Sequence, residues 1–98
     1  MMNGARYIAI QKKLTDALQP TVLNLYDDSH LHAHHSAMRG TGAVETHFRL
    51  EIVSDQFEGK SLLQRHRAVN SILSDEFSQG LHALQITKAK TQTELDKT

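Results

Sequence analysis

The sequence predicts an α+β domain with two helices and three strands in the order αββαβ. Apolar residues recur at helical spacing in two stretches, alternate with polar residues in a third, and are separated by glycine or proline. With 98 residues, the chain is long enough for one hydrophobic core and too short for two. We therefore expect a single domain over residues 1–90 and a disordered tail over residues 91–98.

The first half of the chain contains a helix, a strand and a long loop. Apolar residues recur on one face over residues 4–18, and Pro20 ends the pattern two residues later. Residues 21–27 are largely apolar, with branched and aromatic members, which favours a strand. Residues 28–44 show no sustained period, and so long a loop in a compact domain is typical of a functional segment.

The second half contains a strand, a helix and a last strand. Apolar and polar residues alternate over residues 47–52, which predicts a strand with one face in the core. Ser61 is expected to cap a helix that ends before Gly80, and residues 81–87 form the last strand.

The order of these elements limits the topology. The first two strands should pair antiparallel across the long loop, and a right-handed crossover through the second helix should return a parallel third strand. Both helices then cover one face of a mixed three-stranded sheet, and the other face stays open.

Composition excludes several classes of function. Eleven basic residues balance eleven acidic ones, so no net field attracts nucleic acid or anionic lipid. The absence of cysteine excludes disulfides, thiolate nucleophiles and all-thiolate metal sites. No apolar stretch approaches the roughly 20 residues that span a bilayer, so we expect no membrane partner. No catalytic triad or glycine-rich phosphate loop is evident, which favours a non-enzymatic role.

Histidine is the concentrated chemistry of the chain. Four of its seven histidines lie within six residues, at His30, His32, His34 and His35. Imidazole is the commonest metal-binding side chain, so this loop suits Fe, Zn, Cu or Ni. The sequence alone leaves two interpretations open, a true metal site or an exposed tract that binds divalent metals weakly.

Three further histidines stand outside the loop. His82 begins the last strand just after a turn, where the residues alone favour an edge histidine bonded to the backbone. His66 lies on the apolar face of the second helix and is expected to be a core or boundary histidine. His47 should point away from the core, and we assign it no chemistry.

A small basic patch, defined here as Lys60, Arg65 and Arg67, lies at the start of the second helix. Such a patch can contact phosphates, as can the N–H groups exposed at a helix start. A solvated helix face is the alternative interpretation, and the neutral net charge favours it.

The sequence resembles the BolA family in four blocks that keep the family's order and spacing. They are residues 28–33 (DSHLHA), 45–48 (ETHF), 57–67 (FEGKSLLQRHR) and 81–84 (LHAL). The resemblance covers about residues 5–90. It implies the BolA fold, an αββαβ arrangement related to type II KH domains, in agreement with the order predicted above.

The resemblance also implies a partner and a cofactor. Family members of this type pair with monothiol, CGFS-type glutaredoxins and share a [2Fe-2S] cluster with them, while the glutaredoxin and glutathione supply thiolates. The BolA protein supplies a histidine near the start of its last strand, which corresponds to His82, and a residue of its loop, best matched by His32. His35 is the alternative loop ligand, because His34 stands where related members often have glycine.

Three functions follow as expectations. The resemblance implies a non-enzymatic adaptor that delivers clusters to client iron–sulfur proteins or senses iron and redox state. The runner-up is a KH-like, DNA-binding transcriptional regulator linked to stress, acting through Lys60, Arg65 and Arg67. The third is a divalent metal binder that uses the four loop histidines alone.

The expected compartment rests on the loop histidines, which resemble those of the mitochondrial branch of the family. Residues 1–14 carry three basic and no acidic side chains, but their apolar positions are better explained by a packed helix than by a transit peptide. With no clear targeting segment, a cytoplasmic or nuclear member is the alternative.

Overall fold

The computed structural model describes residues 4–29 and 46–97. It confirms the predicted αββαβ order and adds short helices to it. The elements are α1 (Ala5–Leu18), β1 (Val22–Asp27), β2 (His47–Val53), a 3-10 turn (Asp55–Phe57), α2 (Leu62–Ile72), α3 (Ser74–Ser78), β3 (Ala83–Lys90) and α4 (Gln92–Asp96).

The three strands form one mixed sheet in the order β1-β2-β3. β1 pairs antiparallel with β2, with Leu25 opposite Leu50, and β3 pairs parallel with β2, with Ile86 opposite Leu50. A register shift after Leu50 leaves Thr87 without a partner on β2, and its hydroxyl donates to the Leu50 carbonyl. The predicted pairings, antiparallel for β1 with β2 and parallel for β2 with β3, are therefore confirmed.

The core lies between one face of the sheet and the helices. Phe48, Leu50 and Ile52 are buried on alternate positions of β2, and Ile10 and Leu14 of α1 pack against them one helical turn apart. Full burial of each such side chain contributes about 1.5–3 kcal/mol. The predicted alternation and the predicted face of α1 are therefore confirmed.

The end of α1 and the start of α2 are set by local chemistry. Gln19 adopts a left-handed conformation at φ 46° and donates its N–H to the Thr15 carbonyl, which ends α1 just before Pro20. Ser61 caps α2 as predicted, because its hydroxyl accepts from the Gln64 N–H while the Gln64 side chain accepts from the Ser61 N–H.

The second helix differs from its prediction by a break. Leu73, at φ −100° and ψ 19°, separates α2 from α3, so the segment before Gly80 is two helices and not one. Gly80 has a φ of 124°, and a Cβ there would lie 3.0 Å from Nη2 of Arg6. The turn into β3 therefore requires glycine.

The carboxyl-terminal segment also differs from its prediction. β3 continues to Lys90, and residues 92–96 form α4 where a disordered tail was expected. Thr91 is buried and caps this helix, since its hydroxyl accepts from the Glu94 N–H and its own N–H donates to the Glu94 carboxylate. Within residues 4–29 and 46–97, no helix is long and apolar enough to cross a membrane.

Candidate functional site

One end of the sheet brings together residues that are distant in sequence. β1 ends at Asp27, β2 begins at His47, and His47 pairs with Ala83 at the start of β3. Ser29 and Thr46, at the borders of the described residues, belong to the same end through their hydrogen bonds. We call this region the histidine end and define it as Asp27, Ser29, Thr46, His47 and His82.

Hydrogen bonds hold the main chain of His82, and its side chain is exposed. Its N–H donates to the Thr46 carbonyl at 2.8 Å, and the Ala83 N–H donates to the same oxygen at 3.1 Å. The imidazole stands on the surface, immediately before the first residue of β3. A fixed backbone with an accessible imidazole suits a metal ligand.

Ser29 joins β1 to β2 at this end. Its hydroxyl accepts from the Thr46 N–H at 2.8 Å and from the His47 N–H at 3.2 Å, while its own N–H donates to Asp27 at 2.9 Å. Ser29 is 4% exposed and Thr46 is 7% exposed, so these bonds are shielded from water. Both borders of residues 30–45 are thereby fixed beside His82.

His47 is a member of the site that the sequence analysis missed. Its ring lies 5.8 Å from the ring of His82, centroid to centroid, at an interplanar angle of 71°. Its Nδ1 and the hydroxyl oxygen of Thr46 are 2.9 Å apart and share a hydrogen bond. The predicted parallel pairing of β2 with β3 could have indicated this contact, because it places His47 beside the start of β3.

An ion pair borders the histidine end on the open face of the sheet. Arg49 Nε donates to Asp28 at 3.0 Å, and its guanidinium lies 4.1 Å from the centroid of the Tyr26 ring. The hydrogen bond to Asp28 is the main cause that raises the pKa of Arg49 above its ordinary value. Arg49 therefore stays fully charged and holds Asp28 beside β2.

The described residues supply few donors for a metal. His32 and His35, the predicted loop ligands, lie outside the described residues, as do His30 and His34. Among residues 4–29 and 46–97, no group of three or more potential ligands is close enough to hold a metal ion. His82 is the predicted ligand that lies within the described residues.

The predicted basic patch is corrected at Arg65. This residue is 8% exposed, and its guanidinium donates to the carbonyls of Lys60 and Ala89 and to both oxygens of Glu94, at 2.6 and 3.2 Å. Lys60 and Arg67 are exposed as expected. The interpretation as a solvated helix face also fails at Arg65. Its guanidinium is buried and paired with the carboxylate of Glu94, 29 residues later in the chain.

The basic residues and His82 belong to opposite ends of the sheet. Arg65 is bonded to Ala89 near the end of β3, whereas His82 precedes its start. Six residues of strand separate Ala83 from Ala89, a distance of about 20 Å. The two predicted sites therefore do not form a single surface.

Comparison with solved structures identifies the class of protein to which this fold belongs. The structure is similar to the BolA domain of SufE1 from Arabidopsis thaliana, with a TM-score of 0.84 and 46% identity over 95% of this chain and 99% of that one. The solution structure of BolA1 from Mus musculus is also similar, with a TM-score of 0.75 and 43% identity over 97% of this chain and 72% of that one. The fold is therefore that of an α+β BolA domain.

The family model for BolA-like proteins matches residues 14–94, and the chain belongs to the BolA family. It is 54% identical over 87 residues to the UV-induced protein uvi31 of Schizosaccharomyces pombe, covering 88% of this chain and 85% of that protein. It is 49% identical over 94 residues to SufE-like protein 1 of Arabidopsis thaliana, which is named chloroplastic/mitochondrial. That match covers 94% of this chain but 25% of the relative's length.

Proposed function

We propose that this chain is a non-enzymatic adaptor that binds a monothiol glutaredoxin and holds a [2Fe-2S] cluster jointly with that protein and glutathione. The observation that carries the proposal is the exposed imidazole of His82 on a backbone fixed by the Thr46 carbonyl. Membership of the BolA family supports it.

The donor chemistry of the chain fits a shared cluster. A [2Fe-2S] cluster takes four ligands, usually thiolates, and this chain contains no cysteine. Any thiolate ligands of a cluster on His82 would therefore come from a partner. An imidazole ligand removes negative charge from one iron and gives the cluster a higher potential for electron transfer.

The loop ligand is proposed to be His32, with His35 as the alternative. Ser29 is bonded to Thr46, whose carbonyl binds His82, so the loop departs from beside the proposed ligand. Three residues of chain span at most about 11 Å and six span at most about 22 Å. Chain length therefore allows either histidine to reach a cluster on His82.

The proposed role is to hand the cluster to client iron–sulfur proteins or to report iron and redox state. A mitochondrial location is part of the proposal, and the chloroplastic/mitochondrial relative supports an organelle. We do not propose DNA binding, because Glu94 neutralises Arg65 in the centre of the basic patch.

The test is to mix the chain anaerobically with a cluster-loaded, glutathione-bound monothiol glutaredoxin. We expect the visible absorption and circular dichroism to change from those of the glutaredoxin homodimer, because imidazole replaces thiolate on one iron. His82→Ala should abolish the change. His66→Ala, which removes a half-buried histidine of α2, serves as the matched control and should preserve it.

The proposal fails if the spectrum of the mixture stays that of the glutaredoxin homodimer. It also fails if His82→Ala gives the same spectrum as the unmodified chain. Comparison of His32→Ala with His35→Ala then assigns the loop ligand, since the spectral change should be lost with one substitution and kept with the other.

A further inference from the structure

Two residues at the start of β2, Thr46 and His47, lie beside His82, and the proposed function gives their side chains no role. We infer that they are positioning residues that hold the His82 imidazole in the orientation needed for ligation. The inference rests on the proposed function, because it assigns a second layer of residues to the same site. Residues behind a metal ligand commonly fix its ring and contribute to metal affinity.

Thr46 uses every polar atom it has at the histidine end. Its carbonyl accepts the N–H groups of both His82 and Ala83, and its own N–H donates to the Ser29 hydroxyl. Its side-chain hydroxyl is bonded to Nδ1 of His47. Because Thr46 is 7% exposed, water cannot easily replace these partners. One buried residue thus fixes the main chain of His82 and the ring of His47 together.

The ring of His47 limits how the ring of His82 can move. The bond between Nδ1 and the Thr46 hydroxyl opposes rotation of the His47 ring about its χ2 angle. The His82 ring meets it edge to face, at 5.8 Å between centroids and 71° between planes. An exposed imidazole without such a neighbour samples several rotamers, and ordering it on the metal then weakens binding.

This arrangement separates three roles that substitutions can distinguish. His82 ligates, His47 restricts the rotamers of His82 by contact, and Thr46 orients His47 through its hydroxyl. His47→Phe keeps a flat ring against His82 but has no nitrogen, whereas His47→Ala removes the ring. Thr46→Ser keeps the hydroxyl, and Thr46→Val keeps the branched shape and the main-chain bonds without it.

The first measurement is cluster retention by the complex with the glutaredoxin, followed as loss of the visible dichroism to a chelator. We expect His47→Ala and Thr46→Val to weaken retention about 10-fold or more, within the 10–100-fold range of such second-layer substitutions. Thr46→Ser should stay within about threefold of the unmodified chain, because it keeps the hydroxyl. His47→Phe should weaken retention about as much as Thr46→Val, because both substitutions remove the hydrogen bond between the Thr46 hydroxyl and Nδ1 of His47.

The second measurement needs neither cluster nor partner. Three-bond NMR couplings of the free chain report whether the His82 side chain occupies one rotamer or an average. We expect one dominant rotamer in the unmodified chain and in Thr46→Ser, and averaging in His47→Ala. The amide spectrum of each variant verifies that the fold is intact.

The outcomes separate this inference from the proposed function. If His82→Ala leaves the cluster spectrum unchanged, the proposed function fails, although the rotamer data still test the contact with His47. If His82→Ala abolishes the spectrum but His47→Ala changes neither retention nor the couplings, positioning by His47 is wrong. Loss of retention in Thr46→Val without any loss in His47→Phe would also overturn it, because the hydrogen bond between the two side chains would then not be what orients the His47 ring.

Discussion

Ser29 contributes a single hydroxyl to the histidine end, and two main-chain N–H groups depend on it. Ser29→Ala leaves the N–H groups of Thr46 and His47 without their acceptor in a shielded position. A buried donor without a partner costs about 1–3 kcal/mol, so we expect the free energy of unfolding to fall by about that amount. Urea denaturation measures the change.

Ser78→Ala is the matched control for this substitution. The Ser78 hydroxyl is exposed and donates to the Asp75 carbonyl within α3, so its loss should cost less than about 0.5 kcal/mol. Equal effects of the two substitutions would show that the Ser29 hydroxyl does not stabilise the junction of β1 and β2.

At the scale of elements, α4 is attached to α2 by the ion pair between Glu94 and Arg65. The hydrogen bonds from Arg65, and then that from the Thr91 N–H, lower the pKa of Glu94 from 4.5 to about 2. Because the folded-state pKa lies below the ordinary value, the pair stabilises the folded protein above about pH 4.5. That contribution decreases as the pH falls toward about 2, where Glu94 becomes protonated.

Glu94→Gln tests this linkage, because it keeps the shape of the side chain and removes the charge. We expect the variant to be less stable than the unmodified chain near neutral pH, and the difference to close as the pH falls from about 4.5 to about 2. Unfolding by urea at a series of pH values measures it. Thr93→Ala, an exposed control in the same helix, should show a difference that does not vary with pH, and a constant difference for Glu94→Gln would contradict the linkage.

Elements that depend on local signals could be predicted from the sequence, and those that depend on distant partners could not. The alternation of β2 and the cap at Ser61 are local, and both were predicted correctly. The burial of Arg65 depends on Glu94, 29 residues later, so no pattern around the basic patch shows it. The Thr91-x-x-Glu94 capping box was visible in the sequence, but no apolar run follows it to indicate a helix.

The candidate site was predictable in part for the same reason. The match to the family's motifs indicated His82, whose placement at the start of β3 the structure describes. The positions of Thr46 and His47 against His82 arise from the parallel pairing of β2 with β3, which joins residues more than 30 positions apart. Alternation along β2 alone assigned His47 only to the face away from the core.

At the scale of the whole molecule, the central strand carries the core. Leu50 is completely buried and lies opposite Leu25 on one side and Ile86 on the other. We expect Leu50→Ala to cost about 2–5 kcal/mol, a large part of the roughly 5–15 kcal/mol that keeps a domain folded. Chemical denaturation measures the loss.

Leu62→Ala provides the comparison for this core substitution. Leu62 is 61% exposed at the first turn of α2, whereas Arg65 and Val69 are the buried residues of that helix. Its substitution should change stability by less than about 0.5 kcal/mol. A similar loss at both positions would contradict the assignment of the core to the covered face of the sheet.

The histidine end and the basic patch lie at opposite ends of one small sheet. The proposed ligand His82 lies at one end, and the buried guanidinium of Arg65 is paired with Glu94 at the other. A chain of this composition cannot complete a [2Fe-2S] cluster with thiolates of its own. We therefore expect anaerobic reconstitution with iron, sulfide and glutathione to leave the chain alone without iron after desalting. Addition of a monothiol glutaredoxin should give a complex that retains the cluster, and the His82→Ala chain should fail to form it. Stoichiometric iron and sulfide on the unpartnered chain would contradict a shared site and favour ligation by the loop histidines alone.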